Sequence, residues 1–262
     1  MNHHSGQCVL KVESLSKMFM LHQHRSLKRR LFGLFDSSLH AAEQEQKAPF
    51  YAVSDVSFSL HQGEALALFG HNGSGKSTLL QLVSGILQPT SGYVQCIGRI
   101  APLIALGVGF HPQLTGAENI YLNASLLGLS NRQTRERFKA IVDFSELGDF
   151  IDMPVKNYSS GMYMRLGLSV AIHVDPQILL ADEILTVGDA PFQEKCARRI
   201  HDLQSDGMAL VLVTHSQEQA RRFCQRFITL EHGRVVAQGE FLPPPPVRAD
   251  KIDDIDIERN YA

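Results

Sequence analysis

Tryptophan is absent from the 262 residues, and cysteine is scarce: Cys8, Cys96, Cys196 and Cys224 are widely separated and form no CxxC pair. That spacing argues against a clustered thiolate metal site, and it favours reduced structural thiols in a cytosolic protein over disulfides. No run of eighteen apolar residues occurs, so nothing reads as a membrane-spanning helix. The opening MNHHSGQ lacks the apolar centre of a secretory signal. A role at a membrane would therefore need a partner to supply the bilayer part. An excess of one charge is missing too: 25 Lys and Arg face 27 Asp and Glu, a formal net charge of -2. No global field recruits nucleic acid, and none is expected as a partner.

What is present suits a globular chain with a sizeable core, since 44% of the residues are hydrophobic and 20% charged. CVLKVES (8–14) and AVSDVSFSL (52–60) alternate as half-buried strands do, with Val53, Val56, Phe58 and Leu60 as core candidates. Gly63 marks a turn. EALALFG (64–70) reads as a buried strand entering a glycine loop, followed by a helix from about residue 76 to 84 that Gly85 ends. Residues 117–173 carry helical periodicity. Then come a buried strand (177–182), a helix (191–205), a buried strand (208–215), a helix (216–225) and a hairpin (226–239) turning at His232-Gly233. Strands alternating with helices imply an α/β fold whose mostly parallel sheet is covered on both faces. Two segments stand outside this pattern. Residues 22–48 are polar and include the basic, Leu-bearing RSLKRRLFGLF (25–35). The stretch from Phe241 holds four consecutive prolines and then DKIDDIDIE, which favours an extended linker, partner-bound or simply solvated.

GHNGSGKST comprises Gly70, His71, Asn72, Gly73, Ser74, Gly75, Lys76, Ser77 and Thr78 and matches G-x-x-x-x-G-K-[ST] between a strand and a helix. In that setting the backbone N–H groups wrap nucleotide phosphates, Lys76 neutralises the β- and γ-phosphates, and the Ser77 hydroxyl binds Mg²⁺. ILLADE (178–183) ends a buried strand on two acids. Asp182 can hold Mg²⁺ through water, and Glu183 can orient or deprotonate an attacking water. His215 ends another buried strand, so Lys76, Asp182, Glu183 and His215 are expected along one sheet edge, where α/β sheets bind ligands. YSSGM (158–162) adds a second anion cradle ahead of a helix, because the first N–H groups of a helix lack partners and carry the positive end of its dipole.

Phosphate loop, serine-glycine turn and acidic strand end together resemble the ABC-type ATPase family, with YSSGM at the position of its LSGGQ signature; the resemblance runs from about Val9 to Gly239. It implies a P-loop ATPase core with a mostly parallel sheet, an antiparallel β subdomain and an inserted α-helical subdomain. It further implies a nucleotide-binding domain over residues 1–240, with the helical part at about 115–173 and the basic insertion at about 22–48, and a tail over 241–262. ATP and Mg²⁺ are the implied cofactors. In the family the signature faces the γ-phosphate bound by the other subunit, so Ser159, Ser160 and Gly161 would serve a second copy of this chain, with Asp189 crossing the same interface. The alternative for the serines is a helix cap that touches only its own backbone. Phe19 matches the aromatic on which the adenine stacks, with Tyr51 as a fallback and core packing as the other explanation.

Residues 102–129, 154–166 and 182–196 look like the ATPase subunits of capsule, O-antigen and teichoic-acid exporters. This implies ATP hydrolysis coupled to polysaccharide export, with integral membrane permease subunits as partners handling most of the cargo, and a peripheral place on the cytoplasmic face of the cell membrane. The roughly twenty residues after the last expected strand are too few for the carbohydrate-binding domain of some O-antigen members. One departure stands out: the glutamine that touches Mg²⁺ in many members would fall near 104–107, IALG, which has none, and Gln113 is out of register. The basic 25–35 segment could lie near the membrane, where each Lys or Arg gains about 1 kcal/mol against anionic lipid, or be a solvated helix. Alternatives for the whole chain are a different cargo, a soluble ABC protein or a nucleotide-dependent scaffold.

Overall fold

A computed structural model describes residues 6–20, 49–103, 109–182 and 188–241. The basic 25–35 segment, residues 104–107, Glu183 and the Pro-rich stretch from 242 onward lie outside the described residues.

The chain runs β1 (Cys8–Met20), β2 (Pro49–His61), β3 (Ala65–Phe69), α1 (Lys76–Val83), β4 (Ser91–Cys96) and β5 (Ile100–Pro102), followed by three helices, α2 (Gly116–Leu126), α3 (Asn131–Ser145) and α4 (Ser160–His173). It continues through β6 (Ile178–Asp182), α5 (Ala190–Ser205), β7 (Ala209–Val213), α6 (Gln217–Phe223), β8 (Arg226–Glu231) and β9 (Arg234–Glu240). The large sheet has the order β5-β6-β7-β3-β8-β9, and β2-β1-β4 form a smaller antiparallel sheet. All pairs in the large sheet are parallel except β8 with β9.

Successive residues of a strand point to opposite faces, and β3, β6 and β7 divide on that rule. Ala65, Ala67, Leu179, Ala181, Leu210 and Leu212 join one buried cluster with residues of the five helices α2–α6. Leu66, Leu68, Ile178, Leu180, Val211 and Val213 join another, beneath α1 and the small sheet. The continuous apolar runs of these strands therefore follow from cover on both faces.

The first two strands are longer than their alternation suggests. Ser14 and Asp55 both have positive φ (45 and 55), and the β1–β2 register slips between Val12 and Leu15 and again between Leu15 and Lys17. A bulge moves later side chains to the other face, so the period-two signal stops near residue 14 while pairing continues to Met20. β4 is mostly exposed, and β5 has three residues held by pairing with β6; neither carries a pattern that would mark it in the sequence. Thr115 with Glu118, and Ser130 with Gln133, close capping boxes at the starts of α2 and α3. Phe241, the residue at which the sequence reading starts the tail, packs on Phe69 and Phe227 (6.4 and 5.3 Å between centroids) under Arg221. Its ring completes an aromatic cluster that a linker reading based on the following prolines overlooks.

Cys196 and Cys224 are free and buried, and burial pushes both thiols up to about 12, so neither is a nucleophile at neutral pH.

Glu64 leads into β3 and is 5% exposed. Burial pushes its carboxyl up, but the His61 N–H and ring and the Arg226 guanidinium outweigh that and hold it below the usual glutamate value. A depressed pKa contributes stability that is present above the unfolded value and is lost as pH falls through the folded one. Glu64→Gln should lower unfolding free energy at pH 7 by about 1–3 kcal/mol. The gap to the native chain should begin to narrow as pH falls below the ordinary value of about 4.3 and close only past the lower folded value. Urea titrations at pH 7 and pH 3.5 measure this, and an equal gap at both would contradict it.

Candidate functional site

The ends of β3, β6 and β7 are level. Leu68 pairs with Val213, and Val213 pairs with Asp182. The chain leaves β3 as the loop 70–75 and leaves β7 at Thr214-His215, so loop, carboxylate and imidazole meet at one edge. There a cleft of about 410 Å³ is lined by Phe50, Ala52, Asn72, Gly73, Gly75, Lys76, Ser77, Thr78, Asp182 and His215.

The loop is held from two sides. Gly75 has φ 105, and a Cβ there would collide with the carbonyl of Ala52 in β2. The β8–β9 turn supplies the other wall: Gly233 N–H donates to Ser74 O at 2.9 Å, and Ser54 N–H donates to Gly233 O at 2.8 Å. His232 and Gly233 both have positive φ (47 and 77), the two-residue turn that the hairpin needs. The rings of His71 and His232 meet edge to face at 5.6 Å.

Lys76, 8% exposed, donates from Nζ to the carbonyls of Gly70 at 2.6 Å and His71 at 3.0 Å. It opens α1, whose N-cap Gly75 makes no side-chain cap and whose first turn holds no acid. The first N–H groups of a helix have no intrahelical acceptor. Here they face a cleft that also holds a lysine, and a Cβ on Gly73 would meet nothing within 4 Å. The cradle therefore has room and donors for a polyphosphate. Ser77 and Asp182 add hard oxygen donors suited to Mg²⁺. Ser74, within the loop, is fully buried.

His215 is exposed. Its neighbours fix the strand end: Thr214 Oγ1 accepts from Ser216 N–H (3.0 Å) and pairs with Gln219, while Ser216 caps α6.

Two site residues were not expected from the sequence. Phe50, 47% exposed, lines the cleft; Phe19, 40% exposed, is its cross-strand partner and lies beneath Lys17 at 5.4 Å. Tyr51 is exposed as well. Ala52 is the other. No local signal separates Phe50 from Phe19 or Tyr51, because the choice depends on which face of a bulged ribbon turns toward the loop. Gln113 does not line the cleft and takes a hydrogen bond from Lys156 at 2.9 Å.

Ser159, Ser160 and Gly161 are exposed and lie outside the cleft. Ser159 caps α4, accepting from Met162 N–H at 3.2 Å, so the local capping alternative is present. Ser160, the first residue of α4, and Gly161 remain exposed beside that cap. Asp189 caps α5 and pairs with Arg165 at 2.7 Å. Among the described residues no helix is long and apolar enough to cross a membrane.

Residues 53–186 match the family described as ABC transporter. The chain is 43% identical over 230 residues to the O-antigen export system ATP-binding protein RfbB of Klebsiella pneumoniae, covering 87% of this chain and 92% of that one. It is 41% identical over 226 residues to the teichoic acids export ATP-binding protein TagH of Listeria innocua (86% and 65%). It is also 47% identical over 191 residues to the ABC transporter protein AbcA of Aeromonas salmonicida (73% and 62%). The chain thus spans less than two thirds of the last two proteins. In fold it is similar to an ATP-binding cassette solved as a dimer in a post-hydrolysis state with ADP and Pi, at TM-score 0.70 and 23% identity over 88% of this chain and 98% of that one.

Proposed function

The chain belongs to the ABC transporter family, and we propose that it is the ATP-binding and hydrolysing subunit of a transporter that exports a polysaccharide across the cytoplasmic membrane. The observation that carries the proposal is the cleft, where a buried lysine, an uncapped helix start, a hydroxyl and a carboxylate converge at one sheet edge. The named export functions of its relatives support the cargo class.

The protein's own groups suffice for most of the chemistry. The α1 N-terminus and the loop N–H groups bind the β- and γ-phosphates, and the Lys76 ammonium, already stripped of most water, offsets their charge. Phe50 offers the adenine a ring face beside the loop, with Phe19 across the strand pair. Ser77 and Asp182 would hold Mg²⁺, which when bound neutralises charge that builds on the β- and γ-oxygens. Glu183, one residue past Asp182, accepts a proton from the attacking water. His215, which lines the same cleft, would hydrogen-bond the γ-phosphate or that water.

The cleft is open on the side that its own chain does not cover. A second copy presenting Ser159, Ser160 and Gly161 would close it, so ATP would be held between two chains. A hydrogen bond to a charged group contributes about 1.5–3 kcal/mol net, and two symmetric sites would double that gain. Loss of the γ-phosphate removes much of the bridge, which is how hydrolysis would reopen the dimer and drive the permease. The chain would sit at the membrane's cytoplasmic face through that permease.

Glu183→Gln tests this. It should retain ATP binding, lose turnover by about 10²–10⁴-fold, and sediment as a dimer with ATP and Mg²⁺. A monomer under those conditions, or undiminished turnover, would refute the shared site. Purification of the native chain from membranes should bring an integral partner with it.

A further inference from the structure

Arg165 lies in the second turn of α4, with its side chain 19% exposed. Its guanidinium spans two other helices. One nitrogen reaches Glu146 Oε2 at 2.8 Å and the other reaches Asp189 Oδ1 at 2.7 Å, while the group lies over the Phe192 ring at 4.5 Å.

Each contact is at a helix end. Glu146 is the C-cap of α3, in the left-handed conformation with φ 59. Its other oxygen takes Lys195 Nζ at 3.0 Å, and that lysine covers the Phe144 ring at 4.7 Å. The Lys195 hydrogen bond, with help from Arg165, holds the Glu146 carboxyl below the usual glutamate range. Asp189 also accepts from Phe192 N–H at 3.4 Å and so caps α5. Arg165 thereby joins the end of α3, the start of α4 and the start of α5.

An exposed ion pair contributes little on its own. Here the carboxylates stay 49% and 62% exposed, but the guanidinium between them is mostly covered, stacked on an aromatic ring and forked between two elements, an arrangement only a planar guanidinium satisfies. Capping of α5 requires Asp189 alone. The bond from Asp189 to α4 adds something that helix capping does not need: it fixes Asp189 relative to Ser159, Ser160 and Gly161.

We propose that Arg165 is a positioning residue for the site completed by a second copy, locking Asp189 to the helix that carries Ser159, Ser160 and Gly161 so that both reach the partner's nucleotide as one body. This rests on the shared-site reading above. Arg165 does not touch nucleotide; it acts by keeping two distant segments in register.

The test places Arg165→Ala, Arg165→Lys and Asp189→Asn in the Glu183→Gln chain and measures dimer formation against ATP concentration with Mg²⁺. Thermal unfolding without nucleotide and binding of a fluorescent ATP analogue to the dilute monomer are followed in parallel. Arg165→Ala should raise the ATP needed for half-dimerisation about tenfold, and joining it to Asp189→Asn should add little, as expected of one coupled pair. Monomer affinity should stay within about twofold, and lysine should restore only part of the dimer, since it keeps the charge but loses the fork. A merely structural role would shift the unfolding temperature and leave dimerisation alone; that result, or additive losses, overturns the inference. Should Arg165→Ala fail to fold, the lysine and Asp189→Asn variants decide the matter, and full dimerisation in both overturns it. A Glu183→Gln chain that never dimerises, with Arg165 intact, refutes the shared-site reading and this inference with it. Normal dimerisation with indifferent Arg165 variants refutes this inference alone.

Discussion

Lys76→Ala should fold and yet lose ATP turnover by about 10²–10³-fold, the size of effect seen when one preorganised donor to developing charge is removed. The Lys76 ammonium is buried and held by the carbonyls of Gly70 and His71. Removing it deletes two loop hydrogen bonds, each contributing about 0.5–1.5 kcal/mol net. That loss is local, because the loop is also fixed by the Gly233–Ser74 bond and the wall at Ala52. With phosphates bound the loss is greater, because a charge-assisted contact lying against a helix N-terminus disappears. Nucleotide affinity should fall by about one to two orders of magnitude, from the 1.5–3 kcal/mol of a hydrogen bond to a charged group. Calorimetric ATP titration and steady-state turnover read the two effects separately. Turnover within a few-fold of the native chain would show that the cleft at this sheet edge is not where the chemistry occurs.

Gly161→Asp separates stability from activity. The glycine is helical and exposed, and an added Cβ would meet only Ser159 Oγ, at 3.9 Å. The first turn of α4 contains no acid. A carboxylate there interacts favourably with the helix dipole, so the isolated chain should gain about 0.3–1 kcal/mol. In a closed pair the same carboxylate would face the partner's triphosphate. Two like charges about 4 Å apart repel by about 4 kcal/mol at an effective dielectric of 20, enough to suppress ATP-driven closure about 10³-fold. A more stable, inactive protein is the expected result, read by thermal unfolding and by turnover. Mixing makes the point sharper. Lys76→Ala chains keep an intact serine-glycine turn, and Gly161→Asp chains keep an intact loop. Heterodimers then contain one complete site, so an equal mixture should recover about a quarter of native turnover if pairing is random and the two sites independent. No recovery on mixing, with both variants folded, would argue against a nucleotide shared between copies.

Much of this was legible in the amino-acid order because it is written in local terms. A phosphate loop is a short run of backbone with one lysine, and its glycines announce it. Buried strands of a doubly covered sheet show as apolar runs, and so the carboxyl ends bearing Asp182 and His215 could be placed. His232-Gly233 marked the hairpin because few residue pairs accept two positive φ angles. The pattern failed at β1 and β2, where bulges at Ser14 and Asp55 shift the faces, and at Phe241, whose partners Phe69 and Phe227 are remote in sequence.

Local chemistry therefore dictated the class of fold, the glycine loop and the strand end bearing Asp182, since each depends on residues close together along the chain. Folding in three dimensions settled that Phe50 is the ring lining the cleft, that Ala52 and Gly233 wedge the phosphate loop, and that Arg165 ties Asp189 to α4. The bond between Ser74 and Gly233 joins residues 159 positions apart. Their geometry comes from strand register, bulges and helix packing, which no short stretch of sequence encodes by itself.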